Sequence, residues 1–155
     1  MTDIRKELNS FNMTVVPGQV AMSSPASMTV QLIGTSVETL LPTYPVKLVT
    51  GTGVVPLVEL AVPGTDDIYG LVLFNAKYSS WVAEDYFQIS TKGTIMHLTA
   101  GATLNRGARV GLNPSTLKLQ AAEAGNAIGI LLDEAVLNRV VRVQLDIPND
   151  TLATS

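Results

Sequence analysis

From Met28 onward the chain is a succession of short apolar runs, each broken by Gly, Pro, Asn or Asp. Examples are TVQLIG, YPVKLVTG, VVPLVELAVPG, IYGLVLF, GTIMHLTAG, ARVGLN, TLKLQ, IGILLD and RVVRVQL. Their length and their β-branched content suit strands. Most alternate, as in Val141, Val143 and Leu145 with Arg142 and Gln144 between them. A period of two marks a half-buried antiparallel strand. Helix fits only in short pieces, at Thr35 to Leu41, Ser79 to Asp85 and Asp133 to Leu137. The expected fold class is therefore all-β, a barrel or sandwich.

A repeat underlies the pattern. The stretch TVQL, PVKLVTGTGVVPLVEL, DDIYGLVLF can be set against IMHL, ARVGLNPSTLKLQAA, NAIGILLD. Val46 then falls opposite Val110, Val55 and Leu57 opposite Leu117 and Leu119, and Gly70 opposite Gly129. The copies differ in loop length. This divides the chain into an extended arm (1–27), a first β unit (28–90), a second β unit (91–147) and a short tail (148–155). The arm opens with a turn or two of possible helix at Asp3 to Leu8. The uncharged FNMTVVPGQVAMSSPAS follows, and its prolines forbid a long helix. Val15, Val16 and Val20 need a surface to pack on, either this chain's body or a neighbour.

Only 15% of the residues are charged, against about 25% in an ordinary soluble domain. A surface this poor in charge suits a chain lying against other proteins, or a compact barrel. The net charge of −3 argues against general nucleic-acid binding. Residues 1–90 carry four basic and eight acidic side chains, and residues 91–155 six basic and five acidic. Either this is ordinary scatter, or the second unit of one subunit meets the first unit of another in an oriented contact. No segment is long and apolar enough for a membrane helix, and the charged MTDIRKELNSF does not read as a secretory signal. The sequons at Asn12 and Asn149 are then chance matches.

The search for chemistry is mostly negative. Without cysteine there is no disulfide, thiol nucleophile or zinc-thiolate site. The single histidine, His97, shares a strand face with Ile95 and Thr99 and reads as a solvent-side or interface residue. Asp66-Asp67, Glu84-Asp85 and Asp133-Glu134 are adjacent pairs in turns and at strand ends. General acid/base work needs carboxylates that converge. Gly51-Thr52-Gly53 lacks the ending of a phosphate loop and fits a hairpin turn, as do Asn113-Pro114-Ser115 and Gly125-Asn126. No catalytic residue, cofactor or metal is expected. Tyr78, Trp81, Tyr86 and Phe87 cluster beside Glu84 and Asp85, which would repel a phosphate backbone. Core packing or a protein contact is the better reading, and Trp and Tyr are favoured interface anchors.

The segment Gly93 to Leu145 resembles the capsid cement, or decoration, proteins of tailed bacteriophages. The resemblance rests on Ala100 to Leu104 with Gly107, Val110 with Leu112, Leu117 to Ala122, Ala127 to Leu131 and Val141 to Leu145. It covers about a third of the chain. The first unit departs from the pattern through an insertion with the aromatic cluster, and the arm is not covered. The resemblance implies a non-enzymatic structural protein, made in the host bacterial cytoplasm, that binds the outside of an assembled capsid at capsomer junctions and stabilises it. Its partners would be the major capsid protein and itself, as a homo-oligomer, trimer before dimer. The contact residues expected are Val15, Val16 and Val20 of the arm, Trp81 and Tyr86, and Arg106 and Arg139. Two other classes compete. One is a small β-barrel ligand- or carbohydrate-binding module with Trp81 and Tyr86 as a stacking platform. The other is a small enzyme subunit with its site at an interface, disfavoured by the scarcity of nucleophiles and bases.

Overall fold

A computed structural model describes residues 17–19, 27–51, 53–123 and 127–147. Among these residues there are ten strands and no helix. Thr35 to Leu41, Ser79 to Asp85 and Asp133 to Leu137 are turns and bridges rather than helix. None of these short segments could supply the intrahelical bonds needed to offset helix nucleation.

The first five strands are β1 (Ser27–Leu32), β2 (Pro45–Val49), β3 (Leu57–Leu60), β4 (Gly70–Val72) and β5 (Tyr86–Ser90). They close into a barrel in the order β1-β3-β2-β4-β5. All pairings are antiparallel except β1 with β3. The remaining strands are β6 (Ile95–Thr99), β7 (Arg109–Leu112), β8 (Leu119–Ala121), β9 (Ala127–Leu131) and β10 (Val140–Leu145). They form a sheet in the order β6-β10-β9-β7-β8. A single parallel bridge, Ala100 to Leu119, joins its two edges. Strand for strand, this is the topology of the first barrel.

The two units correspond at many of their backbone pairings. Val46 pairs with Gly70 as Val110 pairs with Gly129. The parallel contact of Leu32 with Val58 matches that of Ala100 with Leu119. The bridge Leu40–Trp81 matches Leu104–Ala135. Thr43 N–H donates to Val72 O, and Gly107 N–H to Leu131 O, both at 2.8 Å. Even the left-handed residues recur, Thr43 with Gly107 and Glu84 with Asn138. One sequence alignment needs correction. Leu119 corresponds to Val58, not Leu57, because the loop from β2 to β3 is longer than the loop from β7 to β8. A one-residue slip exchanges the faces of a strand, so Val58 and not Leu57 is the inward residue, fully buried.

The first barrel is filled by Val30, Leu32, Leu40, Val46, Val58, Val72, Trp81, Phe87 and Ile89. Each has its counterpart in the second core: Leu98, Ala100, Leu104, Val110, Leu119, Leu131, Ala135, Val141 and Val143. The second core does not stop there. Ala61, Ile68, Leu71 and Leu73 of the first unit belong to it, together with Leu112, Ile128, Leu145 and Ile147 of the second. These eight side chains make the seam. Through this seam the second core reaches onto the outer face of the first barrel, whose own filling is a separate cluster. Burying an aliphatic side chain such as Leu71 contributes roughly 1.5–3 kcal/mol.

Candidate interaction surface

Val15, Val16 and Val20 lie outside the described residues. The part of the arm that is described, Pro17 to Gln19, packs on this chain's own body. Gly18 N–H donates to His97 O at 2.8 Å, and His97 N–H donates to Gln19 O at 2.9 Å. Phe74 N–H donates to Gly18 O at 3.0 Å. Residues 17–19 thus lie alongside β6 and bond to both units. His97 sits on the outward face with Ile95 and Thr99, while Met96 and Leu98 point into the core. Its Nδ1 lies 3.3 Å from Gln19 O.

The aromatic cluster divides in two. Trp81 is only 5% exposed and is held by reciprocal backbone bonds to Leu40, each 2.9 Å. Its ring lies 5.6 Å from that of Phe87, which is equally buried. Trp81 therefore supplies core rather than contact area, and it cannot serve as a stacking platform in this conformation. The reason is positional: it occupies the framework bridge that Ala135 fills in the second unit. Nor does Trp81 belong to the insertion. The longer loop of the first unit, 74–80, carries Phe74 and Tyr78, with Asn75 Oδ1 accepting the Lys77 and Tyr78 amides at 2.7 and 3.1 Å. Tyr78 and Tyr86 face solvent, 54% and 60% exposed.

Arg106 and Arg139 lie on the loops 100–108 and 132–139, which meet at the Leu104–Ala135 bridge at one end of the second unit. Both are exposed. Val136 and Leu137, on the same loop as Arg139, are 54% and 55% exposed. The matching end of the first unit carries Leu41 and Val82, 40% and 53% exposed, with Asp85 where the second unit has Arg139 and Pro42 where it has Arg106. Asp85 corresponds to Arg139, since Leu32 N–H donates to Asp85 O as Ala100 N–H donates to Arg139 O. The same backbone position thus bears opposite charge in the two copies. Asp85 also folds back, its Oδ2 accepting the Val82 amide at 2.8 Å.

Behind Arg106, Asp133 forms a two-pronged pair with Arg142. Arg142 Nη2 donates to Oδ1 at 2.7 Å and Nε to Oδ2 at 3.1 Å. The Arg142 side-chain hydrogen bonds hold the Asp133 carboxyl below its ordinary value, with smaller help from the backbone amide of Arg142 and from the charge of Arg106. In the first unit, Asp66, 3.1 Å away, and more weakly Glu59, at 3.4 Å, raise the Lys47 ammonium above its usual value. Among the described residues no three His, Asp or Glu converge as a metal site, and no helix is long and apolar enough to cross a membrane.

Sequence reasoning missed an apolar groove at the open end of the first barrel. Lys47, Leu48, Asp67, Ile68 and Tyr69 line about 480 Å³ of it. A contiguous hollow of about 440 Å³ shares Leu48 and Tyr69 and runs to Pro56 and Leu57. Leu48 is 52% exposed although it lies two residues from the buried Val46. The alternation of Val46, Leu48 and Lys47 marks Leu48 as inward; only tertiary placement leaves the barrel end uncovered.

No protein-family model matches this chain, and no curated protein does. Among solved structures it is similar to the N base of the head fiber gp8.5 of bacteriophage phi29. The TM-score is 0.51 at 12% identity, over 77% of this chain and 92% of that chain. At that identity the similarity establishes a shared fold.

Proposed function

We propose that this chain is a structural protein of a phage head, one that binds the outer surface of an assembled capsid at capsomer junctions and stabilises it. The observation that carries the reading is the fold, a closed five-stranded barrel followed by a second five-stranded sheet, similar over 92% of a head-fiber N base. The cement-protein pattern of the second unit points the same way. In this reading the partners are the major capsid protein and further copies of the chain, a trimer before a dimer. The place of action is the virion exterior. The contact end is the face with Arg106, Arg139, Val136 and Leu137, whose charge and exposed apolar groups suit an acidic, partly apolar shell surface. Several such contacts held in one oligomer would combine through effective concentration.

The reading is tested by cosedimentation of the purified chain with DNA-filled shells from which it has been stripped. Saturable rebinding is expected, and the double variant Arg106→Glu, Arg139→Glu should bind at least about tenfold more weakly, which corresponds to about 1.4 kcal/mol. Failure of the wild-type chain to rebind would overturn the capsid reading. Full binding by the double variant would remove this face from it.

A further inference from the structure

The seam between the two units is directional. The first unit contributes an outer face, Ala61, Ile68, Leu71 and Leu73, all 9% exposed or less. The second contributes a barrel end, Leu112, Ile128, Leu145 and Ile147, all 1% exposed or less. Because the units are copies, each also carries the half that the other uses. The outer face recurs on the second unit as Ala122, Ala127, Ile130 and Leu132, the counterparts placed by the Gly70–Gly129 and Ala61–Ala122 matches. There Ile130 is 43% exposed, whereas Leu71 at the same position is fully covered. The barrel end recurs on the first unit as the groove of Leu48 and Tyr69. There Leu48 is 52% exposed, whereas Leu112 is 1% exposed.

Tandem repeats ordinarily end in polar caps. Among the described residues, the two units instead leave partly exposed the apolar halves of a contact they already make internally. Charged groups flank both ends: Lys47 lines the groove beside Leu48, and Lys92 and Asp146 share the hollow of Ile130. Arg109, exposed, pairs in register with Ile130, and Asp67, exposed, lines the groove.

We propose that copies of this chain join head to tail, the open barrel end around Leu48 and Tyr69 of one copy covering Ile130 and Leu132 of the next. The contact repeats the seam within the chain, so a closed assembly would be a ring of alternating first and second units. Such a contact is heterologous: the surface used on one copy differs from the surface used on its neighbour. This deepens the self-association proposed above and rests on that part of it alone, not on capsid binding.

The chain has no cysteine, which makes the test direct. Leu48→Cys and Ile130→Cys are made separately, both at exposed positions. Each is treated with a short bismaleimide alone and as an equimolar mixture, and wild-type chain is sedimented in parallel at micromolar concentration. The expected result is crosslinked pairs of chains in the mixture and none in either variant alone, with an oligomeric wild type that Ile130→Asp returns to monomer. Pairs formed by one variant alone would mean a two-fold contact and overturn the proposal. An oligomeric wild type without crosslinks in the mixture would overturn this interface and leave self-association standing. A monomeric wild type would overturn both, while shell rebinding reads the capsid proposal independently.

Discussion

Replacing Gly129 by alanine tests the strand register that defines the repeat. Gly129 stands opposite Leu145 of β10 and Val110 of β7. A Cβ added there would overlap Gln144 O, lying 3.0 Å from the Gln144 carbonyl carbon and 3.1 Å from Val143 Cγ1. The obstacle is backbone of a strand paired on both sides, so it cannot turn aside as a side-chain tip can. Overpacking of this kind costs about 1–3 kcal/mol, and a backbone clash belongs at the upper end. Lower entropy of the unfolded alanine chain returns about 0.4–1 kcal/mol. The net loss is about 2 kcal/mol, or about 4–8 °C in Tm at this chain length. Urea and thermal melts followed by far-UV circular dichroism and by the fluorescence of Trp81 measure it. Trp81 sits in the first barrel while Gly129 is in the second. The seam, in which Leu71 of β4 packs into the second core beside Val72 of the first, predicts that both probes move together. Gly53→Ala serves as control, its nearest obstacle being Val55 O at an ordinary 3.5 Å. A Gly129→Ala variant within about 0.5 kcal/mol of wild type, the range of innocuous surface changes, would refute the register.

Three further outcomes follow from the same packing. Trp81→Ala should lose about 3–5 kcal/mol in urea melts, as expected for a buried aromatic; a loss below about 1 kcal/mol would return Trp81 to the surface. Thr43, a β-branched residue at φ 79°, occupies the position that glycine fills at Gly107. Relief of about 1–3 kcal/mol of strain outweighs the unfolded-state entropy of glycine, so Thr43→Gly should raise Tm, and a fall would contradict the strained backbone. Asp133→Asn should lose less than about 1 kcal/mol near neutrality, since the pair is partly exposed. The folded carboxyl is held below its ordinary value. The pair therefore stabilises above the unfolded value, about pH 4, and that stability is lost as pH falls through the lower folded value. Urea melts of wild type and variant should therefore converge toward acid pH; a difference that persists or grows there would contradict the ion pair.

Much of this architecture was legible in local pattern. The alternation in β10 places Val141, Val143 and Leu145 inside and Arg142 and Gln144 outside, as the structure does. The matches of Val46 with Val110 and of Gly70 with Gly129 were readable because β-branched residues and close-approach glycines leave a mark at single positions. The slip at Leu57 arose where only loop length, not residue type, fixes the register. Trp81 misled because an indole suits a core and an interface equally. Only its bridge to Leu40, some forty residues earlier in sequence, decides between them. The parallel β1–β3 closure and the seam of Leu71 against the second core are pairings distant in sequence, and they leave no periodic signal in either strand alone. Arg106 and Arg139 were readable as surface charges. That their two loops meet at one end follows from the Leu104–Ala135 bridge.

The most direct test of the structural role in a phage head is a density-gradient separation of particles from the source culture, with this chain quantified across fractions by mass spectrometry. The proposal predicts a fixed copy ratio to one abundant shell protein in the DNA-filled particles. Recovery of all copies in the soluble fractions, with none on particles, would contradict it and bring forward the ligand-binding barrel.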